Sequence, residues 1–193
     1  FGHETLRVFG KNAKVDRYNM KMFGSLNGPA TVYRSRFIRN VAIPGAPLRH
    51  YAEPPESPAE LELQLKPGSR VIFIKNDDQS TSGKKLWVNG STGEVLSLSP
   101  DSVVVRLDAG YVVRVRKSRF DVRELVSERI GDSKEKIYAD LTGWFDQFPL
   151  KLGWAVSVHK SQGQTLENLV LDFNDQYFEA GQAYVALSRA KTL

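Results

Sequence analysis

The sequence predicts an α/β protein in which a parallel sheet with helices is interrupted by a small all-β unit. Three observations carry this. A strand-like run at 6–9 leads straight into a helical pattern. A middle stretch then holds several short β-rich runs at close, even spacing, separated by turn residues. Near the carboxyl end, strand, polar turn, strand and helix patterns return.

The first unit opens with Leu6-Arg7-Val8-Phe9 as a strand. Lys11 and Asn12 start a helix running through Val15, Asp16 and Asn19 to about Met22. Gly24, Asn27, Gly28 and Pro29 are expected to break it. Residues 31–37 have β-rich composition. Six turn formers (Pro44, Gly45, Pro47, Pro54, Pro55 and Pro58) then mark an extended connector.

The character changes after Lys66-Pro67-Gly68-Ser69, a turn. Residues 70–75 read as a strand and 77–85 as a polar loop. Asn89-Gly90 is a strong turn signal. Strand-like runs follow at 93–98, 103–107 and 111–116, which suggests a small barrel or sandwich. In the last run the alternation puts Arg114 and Arg116 on one face. A strand ending at His159, a polar turn, a buried strand at 169–173 and a helix at 179–190 complete the pattern. The expected organisation is 1–63, 64–146 as the all-β unit and its return, and 147–193.

Charge follows the same division. The chain of 193 residues has a net charge of +5. Between Lys66 and Arg123 there are eleven basic and six acidic residues, so this stretch holds the whole excess. A basic segment of this kind favours a polyanion; charge alone leaves a solvated surface equally open. The absence of cysteine excludes disulfides, thiolate metal sites and a cysteine nucleophile. His3, His50 and His159 show no metal-ligand spacing, so no metal site is expected. No apolar run is long enough to cross a bilayer, and no membrane partner is expected. The chain begins with Phe1 and stops on a helical pattern at Leu193, so both ends read as cuts through something longer.

Two runs carry chemistry. Ser157-Val158-His159-Lys160-Ser161-Gln162-Gly163 follows a strand, and ligands bind at the carboxyl ends of strands in open α/β sheets. The hydroxyls of Ser157 and Ser161, the Gln162 amide and the Lys160 ammonium all suit phosphate oxygens. Gly163 lets a backbone N–H approach a phosphate closely. His159 suits a base or a phosphate. Equally, Ser161 suits a helix N-cap and His159 a core position. The second run is Gly181-Gln182-Ala183-Tyr184-Val185-Ala186-Leu187-Ser188-Arg189. In a helix Gln182, Val185 and Arg189 share a face, and an Arg presented there suits a γ-phosphoryl group. Pairing with an acid elsewhere is the plainer alternative.

Together and in this order, the two runs resemble motifs V and VI of superfamily-1B DNA helicases, most closely the Pif family, with RecD-like enzymes as relatives. Asn12, Val15, Asp16 and Asn19 resemble the start of that family's second RecA-like domain. Leu65-Lys66-Pro67-Gly68-Ser69-Arg70-Val71 and Trp87-Val88-Asn89-Gly90-Ser91-Thr92-Gly93 resemble its inserted SH3-like barrel. Pro149-Leu150-Lys151-Leu152-Gly153-Trp154-Ala155 resembles the return strand. Lys11 departs from the family, which commonly has a hydroxyl residue there.

The resemblance implies an incomplete RecA-like domain interrupted by an SH3-like barrel, forming the C-terminal portion of an ATP-dependent 5′–3′ helicase. It implies that Ser157, His159, Lys160, Ser161 and Gln162 contact single-stranded DNA. Gly163, Gln164, Gln182 and Arg189 would lie at ATP, with Arg189 as the catalytic arginine finger. Lys84, Lys85, Arg114, Arg116 and Lys117 are candidates for DNA contact by charge, not by motif, with ordinary solvated charge an equal alternative. The chain has neither a G-x-x-x-x-G-K-[ST] loop nor an acidic pair after an apolar strand. ATP and Mg2+ therefore imply a missing N-terminal RecA-like domain as partner, and the chain alone is expected to be monomeric and inactive. An intracellular location and roles in DNA repair, recombination and telomere maintenance are implied likewise. The competing expectation is a stand-alone single-stranded nucleic-acid-binding module derived from a helicase; a protein-interaction role has only a general prior.

Overall fold

The computed structural model describes residues 5–39, 59–81, 83–130, 134–158 and 169–171. The described chain is a mixed sheet and helix fold. Strand β1 (Leu6–Phe9) leads into helix α1 (Asn12–Ser25). β1 sits at the centre of a parallel sheet, between β12 (Ala155–Ser157) and β13 (Leu169–Leu171). Two outer strands from the far end of the sequence thus flank the first one. The α/β expectation holds here: Leu6, Val8 and Phe9 are buried on the parallel strand.

α1 buries Val15, Asn19 and Phe23, spaced at i, i+4 and i+8, which is one helical stripe. Gly24, expected from sequence to break the helix, does not do so. It lies inside the last turn with open space around it, and the helix stops at Ser25 because Leu26 turns extended. The other end lacks a side-chain cap at Lys11.

The middle of the chain forms an antiparallel sheet of five strands: β5 (Arg70–Phe73), β6 (Thr92–Leu98), β7 (Val103–Leu107), β8 (Val112–Val115) and β11 (Leu150–Leu152). Their spatial order is β11-β5-β6-β7-β8. Between β5 and β6, Gly90 takes a φ of +94°, as the Asn89-Gly90 turn requires. A register shift between Val95 and Ser97 leaves Leu96 out of the ladder and exposed. Val71, Phe73, Val95, Val103, Val105, Val113, Val115 and Leu150 form the core, with Trp87 and Phe148 closing it. Its expected bounds were 64–146, yet the sheet takes Leu150–Leu152 as an edge strand beside β5.

Three features were not legible in sequence. β2 (Thr31–Arg34) pairs with β4 (Glu62–Leu65), whose Leu63 and Leu65 join the five-stranded core together with Tyr33. β9 (Ser118–Ile130) and β10 (Lys134–Gln147) form a long hairpin. β3 (Ile38–Arg39) pairs with β10 at Gly143 and Trp144. Beneath the hairpin, Phe120, Val122 and Phe145 make a second small core with Ala59.

Candidate nucleic-acid interface

The first part of the site is the carboxyl edge of the parallel sheet. The register pairs Phe9 with Ser157, so the ends of β1 and β12 lie side by side. Ser157 is 1% exposed, and its Oγ has no hydrogen-bond partner among the described residues. Behind it, Phe9, Val15 and Ala155 cluster with Tyr18, and the Arg7 guanidinium lies 5.1 Å from the Tyr18 ring centre. The expected strand ending at His159 stops at Ser157.

Asn19 fixes this edge. Its Oδ1 accepts the Ala155 N–H at 2.8 Å, and its Nδ2 donates to the Ala155 carbonyl at 3.1 Å. The same Nδ2 reaches the Leu152 carbonyl at 3.4 Å. Sequence reasoning quoted Asn19 without assigning it work. The signal was there: a carboxamide on the apolar stripe between Val15 and Phe23, where a buried amide needs partners.

The second part is a basic edge on the five-stranded sheet. Along β8, Val113 and Val115 face the core, while Val112 and Arg114 are exposed. Arg116 and Lys117 follow, also exposed. The loop between β5 and β6 is fastened beside this strand at two points. Gln79 donates to the Arg116 carbonyl at 2.7 Å and accepts the Arg116 N–H at 2.8 Å. Seven residues on, the Tyr111 hydroxyl donates to the Leu86 carbonyl at 2.6 Å. The loop therefore runs along β8 between its two ends, and the exposed Lys84 and Lys85 lie on that span. The Lys117 ammonium stands 5.9 Å from the Phe148 ring centre.

The loop's own shape comes from Asp77, a buried carboxylate. It accepts the N–H groups of Gln79, Ser80 and Leu86. Beside it, burial pushes the Asp78 carboxyl up, but hydrogen bonds from Lys75 and Ser118 and the Lys75 charge outweigh this and hold it below the usual value. Neither Asp77 nor Gln79 was legible as a loop anchor, because both sit in a stretch read only as polar.

The structure thus brings Lys84, Lys85, Arg114 and Arg116 to one edge, with Lys117 at its end. Ser157 lies on the separate parallel sheet. His159, Lys160, Ser161, Gln162, Gly163, Gln164, Gln182 and Arg189 lie outside the described residues. Among the described residues no group of His, Cys, Asp and Glu is arranged to hold a metal ion. Nor is any described helix long and apolar enough to cross a membrane.

No protein-family model matches the chain. An ATP-dependent DNA helicase Pif1 of Bdellovibrio bacteriovorus is 33% identical over 186 residues, which covers 96% of this chain and 37% of the relative. Unliganded Pif1 from a Bacteroides species superposes with a TM-score of 0.74 at 27% identity, over 98% of this chain and 39% of that one. Bacteroides Pif1 in complex with ADP-AlF3 and single-stranded DNA gives 0.66 at 26% identity, over 100% and 39%. The chain spans well under half the length of the relatives it matches. Over the part it spans, the likeness to Pif1 DNA helicases in both sequence and fold is that of a Pif1-family fragment.

Proposed function

We propose that this chain is the C-terminal portion of an ATP-dependent DNA helicase. In this reading it tracks single-stranded DNA and supplies the arginine finger to ATP bound by a preceding RecA-like domain. The observation that carries the reading is the parallel sheet. Its β12 ends at the first residue of the Ser157–Gly163 run, and the fold matches Pif1 structures along nearly the whole chain. A related structure holds both ADP-AlF3 and single-stranded DNA, which supports the same pair of ligands here.

The donor chemistry fits one side of a nucleotide cleft. Gly163 offers a backbone N–H, Gln164 and Gln182 offer amides, and Arg189 offers a guanidinium, all suited to phosphate oxygens. This set contains no carboxylate for a magnesium ion, so Mg2+ and the catalytic carboxylate are assigned to the partner domain. Bound ATP supplies the phosphoryl group whose hydrolysis drives translocation. Arg189 would stabilise the charge that builds on it. His159, Lys160, Ser161 and Gln162 would hold the DNA, with Ser157, which is buried, at the root of the run.

The strand order β11-β5-β6-β7-β8 supports reading the five-stranded sheet as an SH3-like barrel. Its basic edge, with Lys84, Lys85, Arg114, Arg116 and Lys117, would add phosphate contacts. The test uses a helicase that includes this segment. Arg189→Ala should lower ATP turnover roughly 1,000-fold or more while DNA binding stays within about twofold. Unchanged turnover would overturn the arginine-finger assignment. So would ATP hydrolysis by the present chain alone that Arg189→Ala abolishes.

One observation favours a second reading. The basic edge is assembled wholly within the five-stranded unit and needs no second domain. The chain would then bind single-stranded nucleic acid on its own, without ATPase activity. Affinity of this chain for labelled oligo-dT across a salt series separates the two. Tight binding with a steep salt slope and no turnover in any longer form supports the stand-alone module.

A further inference from the structure

We infer that Asn19 is a positioning residue for the DNA-contacting run that starts at Ser157, acting through the Ala155 peptide. The inference rests on the DNA-tracking reading above.

β12 is the outermost strand of the parallel sheet among the described residues, with β1 on its inner side. Its outer side would leave peptide groups without partners. The Asn19 carboxamide closes that side at Ala155, accepting the N–H and donating to the carbonyl of the same residue. A side-chain amide here does what a neighbouring strand's peptide would do. Both bonds are buried, where an unmet backbone group costs most. The third contact, to the Leu152 carbonyl, spans the turn through Gly153 that delivers the chain into β12.

Ala155 lies two residues before Ser157. The Ser157 hydroxyl is buried and has no partner among the described residues, so its position is set by the backbone rather than by a bond of its own. The clasp on Ala155 is therefore a side-chain restraint two residues before the run, on the side of β12 opposite the ladder with β1. α1 makes the clasp rigid, because Val15 and Phe23 are buried one turn either side of Asn19.

The experiment measures oligo-dT binding and DNA-stimulated ATP turnover in a helicase that includes this segment, well below its melting temperature. Asn19→Leu removes the amide at similar volume; Asn19→Asp keeps only the acceptor. The DNA concentration for half-saturation should rise about tenfold for Asn19→Leu and by less for Asn19→Asp. The salt slope should become shallower, while KM for ATP and DNA-saturated turnover stay within about twofold. A lowered melting temperature with unchanged DNA half-saturation and salt slope would overturn the inference, leaving Asn19 a purely structural residue. If Asn19→Leu fails to fold, Asn19→Asp carries the same test. Absence of DNA binding in the unsubstituted protein overturns the DNA-tracking reading itself, and this inference with it.

Discussion

At the scale of the residue, two polar groups, one buried and one at the surface, carry more than their size suggests. Gln147 is 0% exposed. Its Nε2 donates to the carbonyls of Tyr33 at 3.0 Å and Glu60 at 3.1 Å, and its Oε1 accepts the Phe148 N–H at 3.0 Å. It ties the end of the long hairpin to the β2–β4 ribbon. Gln147→Leu leaves these backbone groups buried and unmet, so urea denaturation should show a loss of about 2–3 kcal/mol. Asp108 is the second. Both its oxygens take the Arg70 guanidinium, at 2.7 and 2.6 Å, and Thr92 also donates to it. Burial pushes this carboxyl up; the hydrogen bonds from Arg70 and Thr92 and the Arg70 charge outweigh it, and the net shift is downward. A lowered folded-state value adds stability that is full above the ordinary value of 3.8 and lost as pH falls through the folded one. Urea midpoints should therefore drop more steeply below that value in the parent than in Asp108→Asn, which lacks the titrating group.

At the scale of the element, α1 is held from both directions. Asn19 grips the chain as it leaves the five-stranded sheet. Lys66 grips the helix where the chain approaches that sheet. The Lys66 ammonium donates to the Leu26 carbonyl at 2.9 Å and the Phe23 carbonyl at 3.4 Å, and lies 4.9 Å from the Phe23 ring centre. This satisfies carbonyls that a helix end leaves open and sets a cation where the helix dipole favours one. Lys66→Met keeps the apolar stem and removes the cation; thermal denaturation should show a loss of about 0.5–1 kcal/mol. Gly153 is the tightest point of the same junction. An added Cβ would meet the Ile72 N and the Val71 carbonyl carbon at 2.6 Å, both backbone atoms that cannot step aside. Gly153→Ala should cost more than Lys66→Met, about 2 kcal/mol or more by the same measurement.

For the whole molecule, sequence periodicity revealed the parts and missed their joins. β1, α1 and the strands of the five-stranded sheet were legible because each has an apolar alternation or stripe of its own. β4 was not, since Glu62-Leu63-Gln64-Leu65 is too short to stand apart from the Pro-rich stretch before it. The hairpin of β9 and β10 was not legible either. Its stability comes from cross-strand pairing, which no window of sequence displays. The same holds for the candidate site. Arg114 and Arg116 could be placed on one face by alternation, whereas bringing Lys84 and Lys85 beside them depends on Gln79 and Tyr111 bonding across the fold. That arrangement has a measurable consequence at this scale. Replacing Lys84, Lys85, Arg114 and Arg116 with Gln should flatten the salt dependence of oligo-dT binding by this chain, the slope of log K against log salt falling by about 0.7 per lost phosphate contact. An unchanged slope would remove the edge from the interface.

The junction at Gly153 reaches further than its stability. The Gly153 N–H donates to the Arg70 carbonyl at 2.8 Å, so the chain leaves the five-stranded unit beside the point where it arrived. Some eighty residues are therefore topologically a closed excursion, in the manner of a cassette spliced into a pre-existing turn. The gap left at its neck is that of one β-ladder rung, although Tyr33, Leu63 and Leu65 from outside it complete its core. Closing a long loop costs only slightly more entropy than closing a short one. Arg70 and Gly153 thus mark the neck of that excursion, outside the parallel sheet.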